Sequence, residues 1–207
     1  MTQIKLCGLS RQEDIEATNR LKPEYIGFVF AEKSRRRISP AQAKALKAQL
    51  APEIQAVGVF VRETPEAVAE LINSGVIDIA QLHGGESEDY LARLRTLTRR
   101  PVIQAFRIEN AQDVRNAQNS TADYILLDSG VGGTGTVFDW ELLRTVTRPY
   151  FLAGGLSIEN IERAIQVLHP YAVDVSSGIE TNGVKDHIKM KQFVDAVRNA
   201  TGKEEIK

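Results

Sequence analysis

Apolar residues recur along this chain in two alternating patterns. Short segments rich in valine, isoleucine and phenylalanine are separated by longer segments in which apolar residues recur every three or four positions. The short segments predict strands, and the longer ones predict helices. The eight predicted strands are Ile4–Cys7, Tyr25–Phe30, Ile54–Phe60, Ile77–Leu82, Val102–Arg107, Tyr124–Asp128, Tyr150–Ala153 and Ala172–Val175.

Capping residues mark the starts of several intervening helices. Serine and threonine favour the position before a helix, because their side-chain oxygens accept hydrogen bonds from N–H groups that the first turn leaves without partners. Proline suits the next position, because its fixed φ fits the first turn. Such start signals occur at Ser10 with Glu13, Ser39-Pro40, Thr64-Pro65, Ser87 and Ser157.

Eight strand–helix units in 207 residues predict an α/β fold, a single (β/α)8 TIM barrel near the short end of the usual range. Several strands are apolar on both faces, as at Tyr124–Leu127, which is typical of parallel strands covered on both sides. A doubly wound open sheet is the alternative. That fold more often has a Gly-x-Gly-x-x-Gly turn after its first strand, and Cys7-Gly8-Leu9-Ser10 does not match it. We therefore expect one barrel domain over residues 1–207.

Composition narrows the classes of partner. The chain has 26 basic and 27 acidic residues, so its charge indicates neither a nucleic-acid partner nor a membrane surface. No apolar run reaches the ~20 residues of a membrane helix, and the N-terminus has no signal-peptide pattern. Cys7 is the only cysteine, so an internal disulfide is impossible. We expect a cytoplasmic protein with a small-molecule substrate.

Glycine-bearing turns follow two neighbouring predicted strands, at the end of the barrel where active sites form. Gly154-Gly155 follows the seventh strand, and Ser176-Ser177-Gly178 follows the eighth; a third turn lies at Gly132–Gly135. Glycine lets backbone N–H groups approach phosphate oxygens, and barrels commonly bind phosphate at these two loops. A glycine pair also builds tight loops that bind nothing. Two such turns on adjacent strands favour a phosphate site.

Two groups suited to proton transfer lie at other strand ends. Cys7 ends the first strand and is either inert or reactive. Asp128 ends the apolar strand Tyr124–Asp128, so partial desolvation would raise its pKa and make it a proton donor near neutral pH. The alternative is an aspartate that accepts hydrogen bonds from turn N–H groups. Asp174, between two valines, is predicted to be a structural buried carboxylate.

The remaining candidates are cations and a histidine. Three arginines, Arg35-Arg36-Arg37, follow the second strand; such a run is usually solvated, but at a catalytic rim one of them can grip a carboxylate in bidentate fashion. His83 is either a proton carrier or a structural hydrogen-bonding group. No residues have metal-ligand spacing, so we expect no metal and no other cofactor. This set of groups suits proton-transfer isomerisation of a sugar phosphate.

At these residues the chain resembles the phosphoribosylanthranilate isomerase family of tryptophan biosynthesis. The resemblance runs from the first strand to the last, and an ordered set of motifs is much more specific than one glycine turn. The matching stretches are Ile4–Leu9, Gly27–Phe30 with Ser34 and Arg36, Gln81–Gly84, Leu126–Asp128, Gly133–Gly135 with Phe138–Trp140, Leu152–Leu156 and Val173–Glu180.

The resemblance implies an Amadori rearrangement of N-(5′-phosphoribosyl)anthranilate to 1-(2-carboxyphenylamino)-1-deoxyribulose 5-phosphate, in a monomer or homodimer. It implies that Asp128 is the general acid and Cys7 the general base. We expect the helix that begins near Ser10 and a nearby cation to lower the pKa of the thiol. The predicted substrate-binding residues are Arg36 for the anthranilate carboxylate, His83, and the phosphate-loop residues Gly133, Gly135, Gly154, Gly155, Ser177 and Gly178.

Two other functions stay open at this point. The related sugar-phosphate (ProFAR) isomerase of histidine biosynthesis performs the same chemistry on a bulkier substrate with two phosphates. That family resembles an aspartate pair with phosphate sites in both barrel halves, whereas here the first strand ends in Cys7 and no glycine-rich loop follows strand three or four. A non-catalytic phosphate-binding barrel would keep the glycine turns but has no use for both Cys7 and Asp128. Residues 180–185 have no predicted role.

Overall fold

Eight parallel strands close into a barrel in the computed structural model, which describes residues 1–128 and 140–202. The strands follow one another around the barrel in chain order, and the eighth pairs with the first. The predicted (β/α)8 fold is confirmed, and the open doubly wound sheet is wrong. The strands are β1 (Gln3–Cys7), β2 (Tyr25–Val29), β3 (Gln55–Phe60), β4 (Ile79–Leu82), β5 (Val102–Arg107), β6 (Tyr124–Asp128), β7 (Tyr150–Ala153) and β8 (Ala172–Val175).

Helices connect the strands and cover the outside of the barrel. The α-helices are α1 (Gln12–Leu21), α2 (Pro40–Lys47), α3 (Pro65–Asn73), α4 (Glu88–Leu97), α5 (Ala111–Gln118), α6 (Ile161–Leu168) and α7 (His187–Gly202). Before β7, the described residues form a 3₁₀ helix at Trp140–Thr145 in place of a predicted α-helix. After β8, a 3₁₀ helix at Ser177–Ile179 leads into a two-stranded hairpin of β9 (Glu180–Thr181) and β10 (Val184–Lys185).

Three predicted helix starts are confirmed. Ser39, Thr64 and Ser87 cap α2, α3 and α4, and each side chain accepts a hydrogen bond from the backbone N–H three residues later. At α1 the capping carboxylate is Asp14 rather than the predicted Glu13: it accepts hydrogen bonds from the N–H groups of Ser10 and Arg11, both at 3.2 Å.

Two predicted boundaries are wrong by two residues or more. Ile77 is buried, yet β4 begins two residues later. Helix α6 begins at Ile161 and not directly after Ser157, because the Asn160 side chain accepts the N–H of Ser157 at 2.9 Å and forms a turn there. An apolar residue that is buried next to a strand, such as Ile77, is easily assigned to the strand from the sequence alone.

Most buried apolar residues fill two regions, one on each side of the sheet, and a small third cluster contains Cys7, Val29 and Val59. The larger region lies between the barrel and its helices and includes Phe28, Phe60 and Phe193. The smaller lies inside the barrel and includes Leu126 and Phe151. Each fully buried side chain of this size contributes about 1.5–3 kcal/mol, so both regions stabilise the barrel that presents the strand ends. Within the described residues, no helix has the length and apolar character needed to cross a membrane.

Candidate active site

The carboxyl ends of the barrel strands enclose a pocket of about 650 Å³. Seven predicted site residues line this pocket: Cys7, Arg36, His83, Asp128, Gly154, Gly155 and Ser177. Gly178 lies behind it, where an added Cβ would come 2.0 Å from the carbonyl oxygen of Leu156. Gly133 and Gly135 lie outside the described residues. The barrel thus brings together candidates from six different strand ends.

Cys7 is the last residue of β1, and it lines the pocket although it is almost completely buried. Its exposed fraction is 8 %. The residue beside it on β2 is Gly27, where an added Cβ would come 2.5 Å from the Cys7 Sγ. A side chain at position 27 would therefore displace the thiol, so glycine is what allows Cys7 its place.

A buried ion pair lies next to the thiol, between Lys5, two residues before Cys7 in β1, and Asp174 in β8. The Nζ of Lys5 lies 2.9 Å from both carboxylate oxygens of Asp174, and Lys5 is fully buried. Burial, the largest single influence, lowers the pKa of Lys5, but Asp174 and Cys7 together outweigh it and the net effect raises this pKa. Asp174 has the structural role that the sequence predicts, and it also lines the pocket.

The pKa of Cys7 is displaced in the opposite direction to the prediction. Burial raises it, and this effect exceeds the lowering by the charges of Lys5 and Lys185. Asp174 adds to the rise, because it offsets the charge of the nearest cation. The expected lowering of the thiol pKa is therefore wrong. Cys7 rests as a thiol near neutral pH, and its thiolate is a correspondingly strong base.

Asp128, the last residue of β6, lines the same pocket and contacts His83. The Nε2 of His83 lies 3.4 Å from Asp128 Oδ2, and the other ring nitrogen lies 3.1 Å from Gln81 Nε2. If the Gln81 amide donates to Nδ1, the ring proton lies on Nε2 and points at the carboxylate. Asp128 is half-buried rather than enclosed. His83 thus contacts a candidate catalytic group, and the raised pKa expected for Asp128 stays a prediction.

Arg36 alone of the three consecutive arginines lines the pocket; Arg35 and Arg37 are exposed. Its Nε and Nη2 donate to the two carboxylate oxygens of Glu180, at 2.6 and 2.7 Å. Burial alone would raise the pKa of Glu180, but the hydrogen bonds from Arg36 and Lys185 hold it at about 2. The guanidinium is therefore fixed at the edge of the pocket by a permanently charged partner.

The glycine turn after β7 also lines the pocket. Gly154 and Gly155 have φ values of +90° and +64°, a conformation that residues with a Cβ adopt only with strain. Ser177 begins the 3₁₀ helix that follows β8. Glycine has no side chain, so at Gly154 and Gly155 the backbone lines the pocket, as in phosphate sites.

Sequence reasoning missed several residues of the site. Lys5 carried a usable signal, because it lies two residues before Cys7 in a strand and so faces the same side. Gln81 carried a similar signal, because it lies two residues before His83, which it contacts. Glu180 carried none, because its contact with Arg36 joins segments 144 residues apart. Among the described residues, no group of three or more histidine, cysteine or acidic side chains is arranged to hold a metal ion.

Comparison with known proteins decides the family. Residues 4–196 match the family model for N-(5′-phosphoribosyl)anthranilate (PRA) isomerase. A relative from Endomicrobium trichonymphae, named N-(5′-phosphoribosyl)anthranilate isomerase, is 43 % identical, with 96 % of this chain and 100 % of the relative covered. One of the same name from Thermoanaerobacter sp. (strain X514) is 44 % identical, with 96 % and 98 % covered. The chain belongs to the PRA isomerase family.

Solved structures agree with this membership of the PRA isomerase family. Phosphoribosyl anthranilate isomerase from Thermotoga maritima matches with a TM-score of 0.88 and 37 % identity, covering 96 % of this chain and all of the other. A second structure, with 36 % identity, a TM-score of 0.86 and the same coverage, is described as a complex with reduced 1-(o-carboxyphenylamino)-1-deoxyribulose 5-phosphate. The family resemblance read from the sequence is confirmed.

Proposed function

We propose that this chain catalyses the Amadori rearrangement of N-(5′-phosphoribosyl)anthranilate to 1-(2-carboxyphenylamino)-1-deoxyribulose 5-phosphate, a step of tryptophan biosynthesis. The observation that carries the proposal is the pocket itself. A thiol, a carboxyl group, a guanidinium and a glycine turn line one cavity, in a chain of the PRA isomerase family. These are the groups that a proton-transfer isomerisation of an anionic sugar phosphate needs.

Asp128 is the general acid in this proposal. It protonates the ring oxygen of the ribose as the bond between that oxygen and C1′ breaks, while the lone pair of the anthranilate nitrogen forms a Schiff base. The half-buried position of the carboxyl group suits this role, because burial disfavours the charged form of an acid. The contact with His83 places a second titratable group beside it.

Cys7 is the general base. Its thiolate form, reached when the thiol has lost its proton, takes the proton from C2′ of the Schiff base. The electron pair of that C–H bond moves to form the enolamine, which then tautomerises to the ketone. The cationic Schiff base acidifies the C2′ proton, and the high pKa of the buried thiol makes its thiolate a strong acceptor. Acid and base catalysis of this kind contribute about 10²–10⁴-fold each.

Arg36 and the glycine turns fix the two ends of the substrate in the proposal. The guanidinium of Arg36 binds the anthranilate carboxylate, and Gly154, Gly155 and Ser177 accept the phosphate, with Gly178 supporting that loop. His83 contributes through its contact with Asp128. Gly133 and Gly135 are assigned to the phosphate by motif alone.

The proposed reaction moves protons within one substrate and leaves its oxidation level unchanged, so it calls for no hydride carrier and no metal. A reduced Cys7 is essential to it, which supports a reducing compartment, the cytoplasm. A monomer or a homodimer is proposed for the assembly; one structure of the Thermotoga maritima relative is described as monomers generated from a dimeric enzyme.

Turnover of purified protein on N-(5′-phosphoribosyl)anthranilate tests the proposal, with the product identified by mass and chromatography. We expect conversion to the deoxyribulose phosphate without any added cofactor. A parallel assay uses the two-phosphate substrate of the histidine-pathway isomerase. Conversion of that substrate alone, or binding of phosphate ligands with no turnover of either, would refute the proposed function.

A further inference from the structure

The hairpin that follows β8 carries two buried charged residues whose side chains reach the pocket wall. Glu180 in β9 and Lys185 in β10 face each other across the hairpin, and Lys185 Nζ lies 2.6 Å from Glu180 Oε1. Their side chains are 7 % and 2 % exposed. Charged groups are seldom so enclosed without a specific partner, and the third member of the group is Arg36 in the pocket wall.

We propose that Glu180, held by Lys185, is a positioning residue that orients the Arg36 guanidinium for the carboxylate of the substrate. This inference rests on the proposed function and deepens it. It assigns a role to the segment 180–185, for which the sequence predicted none.

The geometry of the guanidinium supports this role. Glu180 binds the edge formed by Nε and Nη2, which leaves the N–H groups of Nη1 for a ligand. The stem is fixed as well, because the Cδ of Arg36 packs on Gly8, where an added Cβ would come 2.5 Å from it. A planar fork held at one edge and along its stem loses little further freedom when a second carboxylate binds to it.

The hairpin itself is tied to the barrel at several points. Lys185 Nζ donates to the carbonyl oxygen of Ser176 at 2.8 Å, which links the hairpin to the loop that bears the proposed phosphate site. Arg11 donates to the carbonyl of Lys185, and Lys189 donates to the carbonyl of Glu180, both at 2.8 Å. A support that is anchored in this way holds Arg36 at a constant distance from the phosphate end of the pocket.

Charge balance also fits a carboxylate ligand. Arg36 and Lys185 are cations and Glu180 is an anion, so the cluster keeps one net positive charge for the incoming carboxylate. Arg36 and Lys185 both contact Oε1 of Glu180. If the substrate displaced Glu180 from Arg36, that carboxylate would stay buried with half of its partners lost, which is costly.

This last point separates the proposal from its rival, in which Glu180 merely occupies the substrate's place. The substitution Glu180→Gln keeps the shape and removes the charge. Positioning predicts that KM for N-(5′-phosphoribosyl)anthranilate rises about tenfold, the loss of one charge-assisted hydrogen bond, with kcat nearly unchanged. Competition predicts that KM falls. The matched control is Glu162→Gln, an exposed carboxylate on α6, which should change neither constant.

A substrate analogue that lacks the carboxylate, N-(5′-phosphoribosyl)aniline, shows whether the effect passes through Arg36. We expect Glu180→Gln and wild type to have the same KM for it. We also expect Glu180→Gln to add nothing in the background of Arg36→Ala. An equal loss on both substrates, or effects that multiply in the double variant, would overturn the positioning role and leave Glu180 a structural residue.

Direct binding keeps this test separate from the test of the proposed function. The probe is reduced 1-(o-carboxyphenylamino)-1-deoxyribulose 5-phosphate, and the measurement is its Kd by calorimetry. A Kd about tenfold higher in Glu180→Gln supports positioning even if wild type fails to turn over the substrate, an outcome that refutes only the proposed function. An unchanged or lower Kd in the variant, or no binding to wild type, refutes the positioning of Arg36.

Discussion

The two ends of the barrel interior are built from different materials. The end at the amino termini of the strands is filled by aromatic rings: Tyr25 and Phe151 have centroids 5.3 Å apart, and Tyr124 stacks on Tyr171 at 5.6 Å. The end at the carboxyl termini carries a thiol, an ion pair and amide and carboxyl groups around an open pocket. The amino-terminal end is filled by packed side chains, and the carboxyl-terminal end carries groups that can transfer protons.

Hydrogen bonding follows the same division. At the aromatic end the hydroxyl groups of Tyr25 and Tyr171 pair with each other at 3.2 Å. At the pocket end Gln81 is 1 % exposed, and its Oε1 has no hydrogen-bond partner among the described residues. Buried polar atoms without partners are costly, and they are retained where function needs them. The comparison indicates that the packed aromatic end stabilises the barrel, and that this stability allows the pocket end to keep polar groups that are costly to bury.

The largest effect we expect comes from removing the thiol. In Cys7→Ala, kcat on N-(5′-phosphoribosyl)anthranilate falls by about 10²–10⁴-fold, because no other group takes the C2′ proton. The matched control at the aromatic end is Tyr171→Phe, which also removes one polar group inside the barrel and should leave kcat unchanged. Steady-state kinetics of both variants check this, and similar losses in the two would erase the functional difference between the ends.

Removing a ring from the aromatic end should have the reverse pattern. Phe151 is fully buried and contacts Tyr25, Tyr124 and Tyr171. We expect Phe151→Ala to lower the free energy of unfolding by about 3–5 kcal/mol, as measured by urea denaturation. Its kcat, assayed where the variant is folded, should stay close to wild type. A large loss of kcat in fully folded protein would show that the aromatic end also shapes the pocket.

Gly27→Ala tests the close approach beside the thiol. The new Cβ would come 2.5 Å from Cys7 Sγ and 3.1 Å from Cys7 Cα, so the thiol must shift. Displacement of a catalytic group by about 1 Å can cost on the order of 10²-fold, and we expect a kcat loss of about tenfold or more. Gly202→Ala is the control, because an added Cβ there meets nothing within 4 Å. If Gly27→Ala kept full kcat, the position of the thiol would not limit the reaction.

Acid sensitivity should be the smallest effect, and it belongs to the pocket end. The pKa of Glu180 is held at about 2, below the unfolded value of about 4.3. Because the folded-state pKa is lowered, the stabilisation is present above pH 4.3 and is lost as pH falls toward 2. We expect the free energy of unfolding of wild type to fall more steeply between pH 5 and pH 3 than that of Glu180→Gln. Parallel curves for the two proteins would contradict the ion-pair account.

The sequence predicted the barrel well, because each strand is a local apolar segment and each confirmed cap is a local signal. Ser39, Thr64 and Ser87 act within three residues of the N–H groups they bind. The candidates Cys7, Arg36 and Asp128 could be predicted for a related reason: a barrel places the carboxyl ends of all its strands around one opening.

Interactions between distant segments could not be predicted in this way. Lys5 and Asp174 are 169 residues apart, and Arg36 and Glu180 are 144 apart. The predicted direction of the Cys7 pKa was wrong for a related reason, since that pKa depends on burial and on Asp174 and Lys185 from other segments as well as on Lys5 in the same strand. Enclosure and pairing are properties of the folded chain, and no local pattern records them.

The most direct test of the account separates the base from the acid with a substrate that carries deuterium at C2′. In Cys7→Ala, removal of the C2′ proton should limit the rate, so kcat should show a larger primary isotope effect than in wild type. In Asp128→Asn, ring opening should limit the rate and the isotope effect should be smaller than in Cys7→Ala. If Cys7→Ala showed no isotope effect, or if Asp128→Asn showed the larger one, the assignment of base to Cys7 and acid to Asp128 would be contradicted.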